Sequence, residues 1–280
     1  MSQVFDFSYR RSYRGAVQAV IFDWAGTIVD FGCIAPAVVF VEVFKERQVP
    51  ISMAEARAPM GAPKKDHIRA ITEMDSVRRR WTEAHGQAPS EADVESMYQD
   101  FVPRQVACLS TYSALILGTL ELVAELRRRD VGIGTNTGYS TEMAAVNLAD
   151  TKAQGFEPDS CVTASDVPAG RPYPFMCLQN AIELGVDCVA ACVKVDDTVP
   201  GIEEGLNAGM WSIGVSVSGN EVGLSLQEWL DLPEAEKAAR RTQAHRRLSQ
   251  AGAHYVVDDV SQVLACIDDI TQRLARGERP

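Results

Sequence analysis

Short apolar runs rich in β-branched residues recur along the chain, and each stops at a polar or glycine-bearing turn. Residues 16–22 form the first and stop at Asp23; residues 131–135, 189–195, 211–217 and 255–257 repeat the pattern, and 160–163 is a weaker instance. Continuous runs of this length between turn signals predict buried strands. The stretches between them are helical in pattern. Residues 119–129 gather Leu120, Val123, Ala124 and Leu126 on one broad face and end in three arginines, which suit a helix C-terminus. Residues 172–184 open on prolines and stop at Gly185. Strands alternating with helices predict an α/β fold with a doubly wound parallel sheet.

One region breaks the alternation. Between about Ile34 and Ser110 no strand pattern occurs, while residues 38–46, 54–73, 77–85 and 92–106 read as helical. A helical block inserted after the first strand predicts a second domain, a cap over residues 34–110, with linkers near 32–36 and 110–114. Residues 1–33 and 111–280 would then form a Rossmann-like core. Neither an internal repeat nor a low-complexity tract is present.

Composition narrows the partners. The 280 residues are 46% hydrophobic, ample for a large core, and carry a formal charge of −11. An acidic chain is a poor match for nucleic acid or an anionic membrane, but a locally positive pocket can still take a small anion. The seven cysteines contain no CxxC pair, which argues against a zinc cluster or a disulfide framework and fits a reduced, cytoplasmic protein. Residues 1–15 carry Arg10, Arg11 and Arg14 but no apolar run, so they do not read as a secretory signal, and residues 2–13 are expected to be a surface extension. No stretch approaches the roughly 18 apolar residues of a membrane span.

In open parallel sheets the reactive groups gather beyond the carboxyl ends of the strands. Three strands here end in polar residues, at Asp23, at Thr135-Asn136 and at Asp196-Asp197. Strand-end carboxylates close in space repel one another and commonly share a cation, and all-oxygen ligands suit Mg²⁺. The plainer alternative is that each caps the following helix. His85, His245 and His254 read as surface or packing residues.

These positions carry a resemblance. Asp23-Trp24-Ala25-Gly26-Thr27-Ile28-Val29-Asp30 looks like the first motif of the haloacid dehalogenase superfamily. Thr135-Asn136 resembles its second, Arg171 its third and Asp196-Asp197 its fourth, and the insert matches a cap placed between the first two. Phosphatases of that superfamily carry a general acid two residues after the nucleophile, and here that position is Ala25. A carbon leaving group conjugated to an iminium needs no such acid, but it needs a nearby lysine amine. Met60-Gly61-Ala62-Pro63-Lys64-Lys65-Asp66-His67 supplies one. On a helix Met60, Lys64 and His67 share a face and Lys65 does not. Pro63 fits a first turn, so the helix is expected to begin near it, with Met60 approaching from a loop.

That segment is similar to the phosphonoacetaldehyde hydrolase pattern, as are Gly32-Cys33 with Ala35-Pro36 and the run Pro168-Ala169-Gly170-Arg171-Pro172-Tyr173-Pro174. The resemblance implies hydrolysis of a carbon–phosphorus bond, with Asp23 as nucleophile and Lys64 as the imine-forming amine, and His67 is the candidate for moving protons at the imine. It implies Mg²⁺ held by Asp23, Ala25 and Asp197, with Asp196 contacting the metal directly, contacting it through water, or hydrogen-bonding only a neighbouring group. Thr135, Arg171, Met60, Cys33 and Tyr139 are the expected substrate-binding residues, Arg171 opening a helix whose N-terminus shares the anion. The family precedent is a homodimer. The alternatives are a phosphomonoesterase or phosphomutase of the same fold, disfavoured by Ala25; a metal-free dehalogenase, disfavoured by Asp196-Asp197; and a non-catalytic binding module, disfavoured by Asp23, Lys64, Arg171 and Asp197 standing together.

Overall fold

A computed structural model describes residues 12–280. The expected surface extension at 2–13 lies outside the described residues except for its last two. The first strand, β1 (Ala19–Phe22), is fully buried because it runs through the middle of the sheet. The chain then leaves the sheet for five helices, α1 (Ile34–Glu46), α2 (Met53–Arg57), α3 (Lys64–Glu73), α4 (Asp75–His85) and α5 (Glu91–Leu109). It returns through α6 (Thr119–Arg128), β2 (Gly132–Thr137), α7 (Thr141–Ala153), β3 (Ser160–Thr163), α8 (Phe175–Glu183), β4 (Cys192–Asp196), α9 (Val199–Asn207) and β5 (Trp211–Val215). The last elements are α10 (Leu226–Asp231), α11 (Glu234–Gln250), β6 (Tyr255–Val257) and α12 (Val263–Ala275).

All strand pairs are parallel and the order is β3-β2-β1-β4-β5-β6, the doubly wound arrangement expected from the sequence. Phe22 stands level with Thr135 on one side and Val195 on the other. The order reverses at β1, so the switch-point crevice opens beyond the carboxyl ends of β1, β2 and β4. Side-chain alternation divides the core. Val20, Phe22, Val193, Val195, Ile213 and Val215 pack on one face with Leu126, Ile267 and Ile270, while Ala19, Ile21 and Cys192 pack on the other with Cys177, Ala181 and Met210. Truncating a fully buried ring such as Phe22 to Ala would cost about 3–5 kcal/mol.

The five inserted helices hold an apolar cluster of their own, including Phe40, Phe44, Ile68, Ile71, Trp81, Met97 and Phe101. Phe40 stacks on Phe101 at 4.4 Å. The cluster continues into Ala25, Tyr139 and Met143, so the helices rest on the carboxyl end of the sheet.

Several boundaries differ from the sequence reading. The helix expected from residue 38 begins at Ile34, because Asp30, four residues upstream, accepts the N–H groups of Ile34 and Ala35 at 3.0 Å and caps it. The helix expected over 54–73 is two helices separated by residues 58–63. Gly61 there has φ +95°, and Pro63 takes an extended conformation as the N-cap of α3. In α6 it is Leu122 that points inward, while Leu120 is exposed. Among the described residues no helix is long and apolar enough to cross a membrane.

Candidate active site

Asp23 leaves β1 with its N–H bonded to Val195 O at 2.9 Å, which sets it between the ends of β2 and β4. Asp196 is the last residue of β4 and Asp197 follows it. Ligand atoms of Asp23, Asp196 and Asp197 lie within 4.8 Å of one another, and all three side chains are buried. Arg171 reaches this cluster from the loop before α8. Its Nη2 donates to Asp23 Oδ1 at 2.6 Å and to Asn136 Oδ1 at 2.6 Å, and lies 3.2 Å from Asp196 Oδ2. Below it Lys194 Nζ lies 2.9 Å from Asp196 Oδ2, and Glu204 accepts from Arg171 Nε at 3.0 Å.

These contacts divide the three aspartates. Burial pushes the Asp23 carboxyl up and outweighs the pull of Arg171. Burial also opposes ionisation of Asp196, but Arg171, Lys194 and the Thr198 hydroxyl together hold its carboxyl below the usual range. Among the described residues Asp197 accepts from the Asn220 N–H at 2.7 Å and weakly from Thr27 Oγ1 at 3.5 Å. Among the described residues no cationic side chain pairs with it, and burial, then the charges of Asp23 and Asp196, push its carboxyl well above the ordinary value. Four buried carboxylates, Asp23, Asp196, Asp197 and Glu204, thus gather here; Arg171 and Lys194 pair with Asp23, Asp196 and Glu204 and leave Asp197 unpaired among the described residues. Clustered carboxylate oxygens, one of them without a cationic partner, are the environment that a divalent cation relieves, so the residues present fit one.

The inserted helices close the other side. The cavity above Asp23 is small, and its lining includes Ala25, Cys33, Met60, Lys64, Tyr139 and Arg171. The loop carrying Met60 packs hard on the sheet layer. A Cβ at Gly61 would meet Thr198 Oγ1 at 2.4 Å, so only glycine admits this approach. Lys64 opens α3 and is only 6% exposed. Its Nζ lies 4.9 Å from the centre of the Tyr139 ring and 5.7 Å from that of Phe40. Among the described residues no carboxylate forms an ion pair with it, and burial lowers its pKa from the ordinary 10.5 to about 8. Its neighbour Lys65 is exposed and pairs with Glu95.

Of the residues expected at the site, Asp23, Ala25, Cys33, Met60, Lys64, Tyr139 and Arg171 meet at the cavity, and Asp196 and Asp197 sit beside it in the carboxylate cluster. Three expectations are corrected. Thr135 does not reach the cavity, because β2 continues to Thr137 and Thr135 Oγ1 donates to Ser160 O at 3.3 Å inside the sheet. Thr137 and Gly138 line the cavity in its place. His67 is buried one turn along α3, outside the lining, with Nε2 on Ala56 O at 2.8 Å and its ring stacked on Phe40 at 3.9 Å. Burial, then the nearby Lys64 charge, keeps it well below its ordinary pKa and neutral. Arg171 also does not open its helix. It lies four residues before α8, held by side-chain contacts. Asn136 is legible in sequence only as a strand end, and Lys194 and Glu204 carry no role there; their signals are a lysine between valines in a buried strand and Gly201 and Gly205 spaced i, i+4 on the next helix.

A family model for haloacid dehalogenase-like hydrolases matches residues 17–209, which places the doubly wound sheet and its strand-end carboxylates in that class. The chain is 50% identical over 274 residues to a phosphonoacetaldehyde hydrolase of Hahella chejuensis, covering 98% of this chain and 93% of the relative. It is 47% identical to one of Paraburkholderia xenovorans, covering 94% and 99%. The crystal structure of a phosphonoacetaldehyde hydrolase-like protein from Oleispira antarctica superposes with a TM-score of 0.96 at 45% identity, covering 99% of this chain and 100% of that one. The chain therefore belongs to the phosphonoacetaldehyde hydrolase family within the haloacid dehalogenase-like hydrolases.

Proposed function

We propose that this protein hydrolyses the carbon–phosphorus bond of phosphonoacetaldehyde to acetaldehyde and phosphate. The observation that carries the reading is one cavity lined by a strand-end aspartate, a buried amine of lowered pKa and Ala25 where a phosphatase needs an acid. The neutral Lys64 amine attacks the aldehyde carbon, the adduct takes up one proton, and water leaves, giving a cationic imine. Asp23 then attacks phosphorus on the side opposite carbon. As the P–C bond breaks, its electron pair moves into the iminium and an enamine results, so no alkoxide forms and no acid is required at Ala25. Arg171 spreads the charge on the transferring group, and the Thr137–Gly138 segment lies against the same cavity. Water cleaves the aspartyl-phosphate; the enamine takes a proton on carbon, and hydrolysis of the imine frees Lys64.

Mg²⁺ is the cation we assign to Asp23, Asp197 and the main chain of Ala25. When bound it neutralises the phosphoryl oxygens and steadies the dianion beside Asp23. Asp196, already engaged by Lys194, Arg171 and Thr198, supports this set from beside it. The His67 ring, neutral and in contact with Phe40 beneath Lys64, acts on the amine through packing and desolvation.

The test is cyanoborohydride reduction in the presence of acetaldehyde, followed by peptide mapping, together with phosphate release from phosphonoacetaldehyde with and without Mg²⁺. The expected result is one reduced adduct on Lys64, absent in Lys64→Arg, with metal-dependent phosphate release. An adduct on exposed Lys65, or normal turnover with no adduct, would return the site to ordinary phosphomonoester chemistry.

A further inference from the structure

Beneath the cavity floor lies a closed ring of buried polar groups, of which only Arg171 takes part in the proposed reaction. Asn136 Oδ1 accepts from Arg171 Nη2 and from Lys194 Nζ, each at 2.6 Å, and Asn136 Nδ2 donates to both oxygens of Glu204 at 3.2 Å. Glu204 Oε2 accepts from Arg171 Nε at 3.0 Å and lies 3.8 Å from Lys194 Nζ. Lys194, Glu204 and Asn136 are each 0% exposed.

We infer that Glu204 and Lys194 are positioning residues for Arg171, fixing its guanidinium so that Nη1 faces the phosphonyl oxygens of the substrate. The inference rests on the reaction proposed above. Arg171 commits Nε to Glu204 and crowds Asp23, Asn136 and Asp196 around Nη2, while among the described residues no hydrogen bond engages Nη1. A planar guanidinium held at two of its three nitrogens has one orientation left. Glu204 holds one of them, and Lys194 orients the Asn136 amide so that its oxygen faces Nη2 and its nitrogen faces Glu204.

The backbone is shaped to bring Glu204 there. A Cβ at Gly201 would meet the Asp196 carboxyl at 1.9 Å, and one at Gly205 would meet Ser212 Oγ at 2.5 Å and Lys194 Cβ at 2.7 Å. These two glycines on one face of α9 let the helix lie directly on β4, with Glu204 turned under Arg171. An aliphatic pair of similar volume would fill the space at lower desolvation cost, so packing alone does not call for two buried charges.

The experiment compares two readouts in Glu204→Gln and in the charge-balanced pair Lys194→Met/Glu204→Gln. One is the affinity for inorganic phosphate with Mg²⁺ present, from competitive inhibition and from phosphorus NMR titration. The other is the rate of cyanoborohydride trapping of acetaldehyde on Lys64, which needs no contact with Arg171. The expected result is phosphate binding weakened about 10- to 100-fold, as for loss of a charge-assisted hydrogen bond, with the trapping rate within about twofold of the unsubstituted protein. Loss of both readouts together, or of neither, overturns the inference. If these variants do not fold, Glu204→Asp keeps the charge and withdraws the carboxylate by one methylene. The same split must then appear there, and failure of that variant to fold assigns the ring to stability alone. If the unsubstituted protein gives no adduct, the Schiff-base reading fails by itself, since its phosphate affinity is measured separately.

Discussion

Replacing Lys64 with Met should make the protein more stable while abolishing its activity. Burial takes the Lys64 ammonium from its ordinary 10.5 to about 8. At about 1.36 kcal/mol per pH unit, the protonated folded state forgoes about 3 kcal/mol near pH 7. The sign follows from proton counting. Below pH 8 the lysine is protonated in both states and the penalty is complete. Between 8 and 10.5 the folded protein releases the proton first, the unfolded chain binds more protons, and stability rises with pH. Above 10.5 both states are neutral and the penalty is gone. Lys64→Met, close in volume and uncharged, should therefore gain about 3 kcal/mol at pH 7 and less than about 1 kcal/mol at pH 10. The measurement is urea unfolding of both proteins at the two pH values, the readout being the difference between them. A gain that does not change with pH would show better packing only, and destabilisation at pH 7 would refute the account of a desolvated amine. The same shift predicts that trapping of acetaldehyde by the unsubstituted protein rises through an inflection near pH 8. An inflection near 10.5 would mean that the amine is hydrated.

Asp23→Asn should leave the fold intact and end turnover, since an amide cannot form the acyl-phosphate; a well-folded variant that still releases phosphate from phosphonoacetaldehyde would remove Asp23 as the nucleophile. Asp197→Ala should weaken Mg²⁺ binding more than Asp196→Ala, because Asp197 has no cationic side-chain partner among the described residues while Asp196 has two; calorimetric titration of both variants with Mg²⁺ gives the order, and the reverse order would exchange their roles. Ala25→Asp should slow phosphonoacetaldehyde cleavage by about tenfold or more, because a carboxylate at the cavity wall repels the dianion; a steady-state rate that is unchanged or faster would show that the missing acid is incidental.

The parts of the site that could be read in sequence depend on local geometry. Asp23 and Asp197 stand just past apolar runs, and a buried parallel strand delivers its next residue to the carboxyl edge whatever surrounds it. Lys64 was separable from Lys65 because helical spacing sends adjacent residues to different faces, and the two lysines are indeed buried and exposed respectively. Thr135 misled because a polar residue looks like a strand end. Where a strand stops is decided by its neighbour, and β3 pairs with β2 as far as Thr137↔Thr163. His67 shares a helix with Lys64, but Phe40 and the Ala56 carbonyl, from two other helices or their ends, decide where its ring lies.

By itself, the sequence determined the alternation of strands and helices, the helical insert and the chemical types of the groups at the candidate site, because periodicity and motif chemistry act over a few residues. Only the tertiary structure decided that Lys64 loses its water, that Asp196 is matched by cations and Asp197 is not, and that Lys194 and Glu204 meet under Arg171. Those properties are differences in solvation and charge between groups far apart in the chain, such as Asp23 and Arg171, which are 148 residues apart, and nothing along the chain expresses such a difference until folding removes the water between them.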